Sequence, residues 1–190
     1  MPMRAAIGLR VHSGWAALVT VAGSPQHPTV LHRRRIELAD PSIKGSVQPY
    51  HAAKVLALEK AQDFLDRCAK ASEAMAKVAL SQAIREHAVA ACGILTGSGR
   101  PGGTLETILR SHAAIHSAEG EFFRAAIVRA ASACGLPCRK IREKELLETA
   151  HNTFLVDVTA CVDGMRKMLG TPWRQDEKFA AIAGWLALRD

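Results

Sequence analysis

The sequence predicts an α/β fold on a mixed five-stranded sheet, three antiparallel strands followed by two parallel ones, with helices on both faces. Three observations lead there. Residues 5–38 alternate short strand-forming runs with turn residues, spaced too closely for anything but hairpins. Residues 88–95 (AVAACGIL) are apolar on both faces, the pattern of a buried central parallel strand. The rest of the chain is helical in pattern with one further short strand, so the order is β-β-β-α-β-α-β-α.

Each element has its own signal. Residues 5–10 form the first strand, Ser13-Gly14 a turn, and residues 15–21 (WAALVTV) the second strand. Gly23-Ser24-Pro25 turns again before a third strand over 29–38, and a loop over 40–49 ends the hairpins. The third strand carries Arg33, Arg34 and Arg35, and strand alternation sends Arg33 and Arg35 one way and Arg34 the other. Residues 51–87 contain no Gly or Pro, and Leu58, Ala61, Leu65, Cys68, Ser72, Met75 and Ala79 recur at helical spacing. Unbroken, this long helical segment would run about 55 Å at 1.5 Å per residue. It must break, for which Ala71-Ser72 is the expected place, or project and pair with a partner helix, giving a homodimer.

After the central strand comes a Gly-rich loop over 96–103, then a helix from Thr104 to about Ala133, loosened at Gly120. Gly135-Leu136-Pro137 closes it, and residues 138–142 form the fifth strand. A helical region from Lys144 ends near Leu169-Gly170, and a last helix reaches Arg189 with Phe179, Ile182, Ala183 and Leu186 on one face. With no repeat and no low-complexity linker, residues 1–190 read as a single domain.

Composition narrows the function classes. A chain that is 48% hydrophobic and 23% charged can bury a core, so it is no disordered tail. No apolar run approaches the roughly 20 residues that span a bilayer, and residues 1–4 enter a strand without a signal-peptide core, so no membrane partner is expected. Five cysteines, an odd number in a chain too large to need disulfide staples, point to a reducing, cytoplasmic location. Twenty-five Lys and Arg against eighteen Asp and Glu leave +7, which admits nucleic acid as a partner. Aromatics at 5% speak against a stacking platform for single strands, and the three tryptophans are expected to pack in the core or at its rim.

Residues 7–15 (IGLRVHSGW) resemble the first hairpin of RuvC-type Holliday-junction resolvases, where glycine and an apolar residue precede an Asp and a glycine-containing turn. Residues 119–141 resemble the resolvase helix-to-strand segment, residues 145–169 its following helices, and residues 176–183 (DEKFAAIA) its closing helix. The chain is thus similar, outside 51–87, to the ribonuclease H-like superfamily. That resemblance implies two divalent cations held by carboxylates on the first strand, at the end of the fourth strand and on the last helix. Here those positions read Arg10, Thr96 and, near the last, Lys178 with Asp176 and Glu177 beside it. The resemblance therefore implies a RuvC-like protein without the acidic triad, not a standard two-metal nuclease, and with no cofactor expected. Arg10 and Lys178 would converge on a cationic pocket for phosphate or carboxylate, with His12, Arg33, Arg35 and Arg100 as further anion or nucleic-acid contacts. The competing structural account pairs Arg10 and Lys178 with Asp176, Glu119 or Glu121 in a buried network. An actin-like nucleotide-binding relative would share the hairpin, but the hairpin Asp is missing and the chain is half the length of two lobes.

A second constellation offers an alternative, an enzyme of different chemistry. His112, His116 and Glu119 lie at i, i+4 and i+7 on one helix face, a set able to ligate a divalent metal or to work as acid and base. The HExxH string is absent, and a hydrogen-bonded surface pair is the simpler account of the two histidines. The loop around Gly97 and Gly103 could offer backbone N–H groups to a phosphate, without a P-loop's Gly-Lys-Ser/Thr ending. Cys134 and Cys138 have no zinc-ribbon partners by spacing.

Overall fold

The computed structural model describes residues 3–24, 26–97 and 102–189. Three strands open the chain: β1 (Ala5–His12), β2 (Trp15–Gly23) and β3 (Pro28–Glu37). Gly14, at a φ of +80°, makes the two-residue turn between His12 and Trp15, a backbone region open to glycine. Helices α1 (Pro49–Ala53) and α2 (Leu58–Glu86) follow, then β4 (Val89–Thr96). Next come α3 (Leu105–Arg110), α4 (His112–Ala133) and β5 (Cys138–Arg142). A 3-10 turn (Glu143–Glu145) leads into α5 (Leu146–Phe154), α6 (Val158–Gly164), α7 (Arg166–Leu169) and α8 (Gln175–Arg189).

The sheet has the order β3-β2-β1-β4-β5, antiparallel through the first three strands and parallel from β1 to β4 and β4 to β5. This is the sheet the sequence predicts. Parallel pairing puts the carboxyl ends of β1, β4 and β5 along one edge, where open α/β sheets hold ligands.

Alternation along the strands divides the core in two. Ile7, Leu9, Leu18, Ile36 and Ile94 face α2 and α4, meeting Leu80, Phe123 and Ile127. Ala17, Val19, Val21, Leu95 and Ile141 face α8 and the helices around it, meeting Leu146, Phe154, Ala180 and Trp185. Trp173 and Trp185 are core residues; the Trp173 indole donates to Val162 O at 2.7 Å, while Trp15 is half-buried at the rim. On β3, Arg34 reaches Ala79 O at 2.7 Å on α2, while Arg33 and Arg35 lie on the α8 face, as alternation requires.

Helix α8 meets the backbone of β1 and β4 directly at two glycines. Gly8 and Gly93 are neighbours across the two strands. A Cβ on Gly8 would stand 1.7 Å from Ala180 O, and one on Gly93 would stand 2.1 Å from Ala183 O. The small residues Ala180, Ala181, Ala183 and Gly184 let the two backbones meet. That contact fixes where the first turn of α8 sits over β1.

Two expectations are corrected. The 51–87 segment neither runs unbroken nor breaks near Ala71-Ser72: it turns between Ala53 and Leu58, and α2 continues through both residues. No Gly or Pro marks the corner. Ala53, Ala61, Phe64, Leu65 and Leu109 close over one another there, and this tertiary packing overrides helix propensity. The helix does not project either, since Ala76, Leu80 and Ala83 are buried in the core shared with α4. The second break falls at Ser111, not at Gly120. Ser111 caps α4 by accepting from Ala114 N at 3.3 Å, while Gly120 stays helical.

Candidate functional site

Arg10 is the third residue from the end of β1, on the α8 face of the central strand. Its guanidinium forks onto one carboxylate, Nε donating to Glu143 Oε2 at 3.2 Å and Nη2 to Glu143 Oε1 at 2.6 Å. Nη1 donates to Asp176 Oδ1 at 2.6 Å, and the guanidinium carbon lies 5.3 Å from the centre of the Phe179 ring. Glu143 is the first residue beyond β5 and Asp176 lies in the first turn of α8, so three elements meet at this cation. Burial works against the guanidinium's charge. The hydrogen bonds and charges of Glu143 and then Asp176 outweigh it and raise the pKa above the usual arginine value.

The same Asp176 oxygen lies 2.8 Å from His12 Nε2. His12 stacks on Trp15, with ring centres 4.3 Å apart, and Arg35 lies over the same indole at 4.2 Å. Arg35 in turn donates to Glu37 Oε1 at 2.6 Å. A continuous row results, from Glu143 through Arg10, Asp176, His12, Trp15 and Arg35 to Glu37, across the strand ends of the α8 face. Beside it opens a cleft of about 390 Å³ lined by Thr96, Gly97, Glu143, Lys144 and Phe179. Arg124 on α4 borders it, donating Nε to Leu95 O at 3.2 Å.

The second cluster gathers at the start of α4. His112 and His116 bring their Nε2 atoms to 3.0 Å, and His51 of α1 packs edge-on against both rings, with centres 5.8 and 5.0 Å away. One ring nitrogen from each of the three lies within 4.8 Å of the others. Glu119, only 3% exposed, does not complete that set. Its Oε1 accepts the His51 backbone N–H at 3.1 Å and lies 3.1 Å from His51 Nδ1. His51 thus takes the third place expected of Glu119, and the carboxylate stands behind it.

No protein-family model matches the chain, and no curated protein matches it by sequence. Solved structures do match. Thermus thermophilus RuvC in complex with a Holliday junction substrate aligns over 96% of this chain and 90% of its own at 11% identity, with a TM-score of 0.57. A second structure of Thermus thermophilus RuvC aligns over 95% of this chain and 91% of its own at 14% identity, with a TM-score of 0.52. The chain has the RuvC fold.

In this ribonuclease H-like fold the sequence-picked residues divide. Arg10, His12 and Arg35 come together at the carboxyl edge of the sheet. Arg33 shares their face but donates Nη2 to Leu169 O at 2.8 Å. Arg100 lies outside the described residues. Lys178 does not converge with Arg10: its Nζ meets Asp163 Oδ1 at 2.6 Å on α6. The register of α8 explains this. Glu177 Oε2 accepts the Arg174 backbone N–H at 2.7 Å and closes the first turn, which aims Asp176 at β1 and rotates Lys178, two residues on, about 200° away. Of the competing accounts, the pairing of Arg10 with Asp176 is formed. Glu143 joins Arg10 at the strand ends and is not among the residues picked from the sequence; its signal is a carboxylate directly after a parallel strand. Among the described residues no helix is long and apolar enough to cross a membrane.

Proposed function

We propose that this RuvC-like chain is a non-hydrolytic nucleic-acid-binding protein, with the Arg10 guanidinium standing where hydrolytic chemistry needs metal ions. One observation carries the reading: Arg10 engages both oxygens of Glu143 and Oδ1 of Asp176. Two-metal hydrolysis needs open carboxylates that clamp cations roughly 4 Å apart on the attacking and leaving oxygens. A planar guanidinium forked into the same acids supplies fixed charge without a water to activate. Its second effect favours binding. Arg10 cancels one of the two carboxylate charges, so Glu143 and Asp176 repel a phosphate that approaches the cleft less than the bare acids would. Lys144 on the cleft wall and Arg35, 57% exposed along the row, are placed to meet phosphate oxygens. The structure of the Thermus protein with its junction substrate makes a four-way DNA junction the first probe to use.

The test is fluorescence anisotropy of a labelled junction over a range of salt. Each neutralised phosphate contributes about −0.9 to the slope of log K against log salt. The expected slope is about −2 or steeper, and Arg35→Glu with Lys144→Glu should weaken binding about tenfold or more. A flat salt response, or unchanged affinity in that double variant, removes the reading.

A homodimer through α2, the other partner the sequence suggested, has only the outward side of the helix to use, where Val78 is 68% exposed. Light scattering at twice the 20.4 kDa chain mass, returning to one chain with Val78→Glu, is the result that supports it.

A further inference from the structure

The three-histidine cluster lies outside the Arg10 row and takes no part in the proposed nucleic-acid contacts. We infer that His51, His112 and His116 form a transition-metal site suited to Zn²⁺, with water as the fourth ligand and Glu119 orienting His51. Three observations carry this. First, His112 and His116, one helical turn apart on α4, hold Nε2 against Nε2 at 3.0 Å. Neutral imidazoles satisfy that contact only if one donates and the other accepts, whereas a cation between them satisfies both.

Second, the third histidine arrives from a separate element. His51 sits on α1, and one nitrogen from each ring already lies within 4.8 Å of the other two. A tetrahedral zinc with Zn–N bonds of 2.0–2.1 Å sets its ligand nitrogens about 3.3 Å apart. The two α4 nitrogens are near that spacing, and the exposed rings of His112 and His116 have room to rotate onto the rest.

Third, the site has the support that metal-bound histidines use. Glu119 is 3% exposed, accepts the His51 backbone N–H, and places the same oxygen 3.1 Å from His51 Nδ1. That Nδ1 is enclosed and without a formed hydrogen bond, so a slight turn of the ring gives it the carboxylate and leaves Nε2 for the metal. Imidazole suits Zn²⁺ and its neighbours in the first transition row, while Mg²⁺ prefers oxygen. The fourth position faces solvent, since His112 and His116 are exposed, and the ion would join α1 to α4.

The experiment uses the full chain stripped with chelator, titrated with Zn²⁺ against a chromogenic chelator and followed by calorimetric melting. The expected result is one Zn²⁺ per chain and a melting temperature about 5 °C higher or more when free Zn²⁺ exceeds Kd a hundredfold. His112→Ala with His116→Ala should weaken binding at least a hundredfold and abolish the shift while apo stability is kept. Both positions are exposed on a helix, where alanine is favourable. Glu119→Gln should weaken binding 10- to 100-fold. Mg²⁺ should do nothing. No stoichiometric binding by the wild type, or equal binding by the double variant with the metal then on the cysteines, overturns the inference. Neither result touches the nucleic-acid reading, whose binding test needs no Zn²⁺.

Discussion

Gly8→Ala is expected to cost about 4 kcal/mol or more, above the 1–3 kcal/mol usual for overpacking in a core. The added Cβ would stand 1.7 Å from Ala180 O and 2.5 Å from Gly184 N. Both are helix backbone, so no side chain can rotate aside. Helix α8 would have to lift from β1, which exposes the apolar row around Ala180, Ile182 and Trp185 and carries Asp176 away from Arg10. With a total stability of about 5–15 kcal/mol for an ordinary domain, a large part of the margin is lost. Urea unfolding should show the midpoint falling steeply. Gly164→Ala, a helical position with nothing within 4 Å of the added carbon, should leave stability unchanged or raise it by about 0.5–1 kcal/mol. Equal midpoints for Gly8→Ala and wild type would show that the close packing of α8 on β1 is misplaced, and with it the position of Asp176.

Arg10→Asp should produce the second large effect, and one of a distinctive kind. The substitution removes the fork to Glu143 and the bond to Asp176 and puts a third acid beside them. Truncating one partner of a buried pair costs about 3–5 kcal/mol, and the partial exposure of these groups, 16% for Arg10 and 35% for Glu143, reduces that to about 2–3 kcal/mol. For a chain of this size the melting temperature in chelator should fall by about 5–10 °C. Millimolar Mg²⁺ should then restore part of the loss, since three clustered carboxylates are the oxygen donors a hard cation takes. Wild-type protein should melt at one temperature with and without Mg²⁺. Arg10→Ala should lose stability without the Mg²⁺ response. If Mg²⁺ raises the melting point of wild type as much as that of Arg10→Asp, then Arg10 is not the cation of this site.

The sheet was legible because its signals are local: hairpin turns at Gly14 and Gly23, an apolar run on both faces of β4, and helical stretches of crossover length between the later strands. What escaped was set by tertiary contact. The corner between α1 and α2 carries no breaker residue, so nothing in the string marks it before Phe64 and Leu65 are seen packed with Ala53 and Leu109. The Ser111 break was readable, since a serine opening a helical stretch is a strong cap.

The site shows the same division. Arg10 was placed by its strand, and its pairing with Asp176 was among the accounts the sequence allowed. The start of α8 was uncertain by a few residues, and two residues of helix turn a side chain to the opposite side; this is why Lys178 stood where Asp176 belongs. His51 comes from another helix, beyond the reach of spacing arguments confined to α4, so the helical triplet was completed with Glu119. The basic balance of +7 is likewise less free than the composition suggests. Arg10, Arg33, Arg34, Arg35 and Lys178 are each tied to an acid or a carbonyl; Arg35 stays 57% exposed beside Glu37, and it and the cleft's Lys144 are the cations offered to phosphate.

The most direct test of the central claim follows one labelled four-way DNA junction through two buffers. Its affinity for the full chain is measured in chelator and in Mg²⁺, and the DNA from the same samples is run on a denaturing gel. The account predicts comparable, salt-steep binding in both buffers with every strand intact, because Arg10 already supplies the charge between Glu143 and Asp176. Strand cleavage that requires Mg²⁺ and disappears in Asp176→Asn would contradict it.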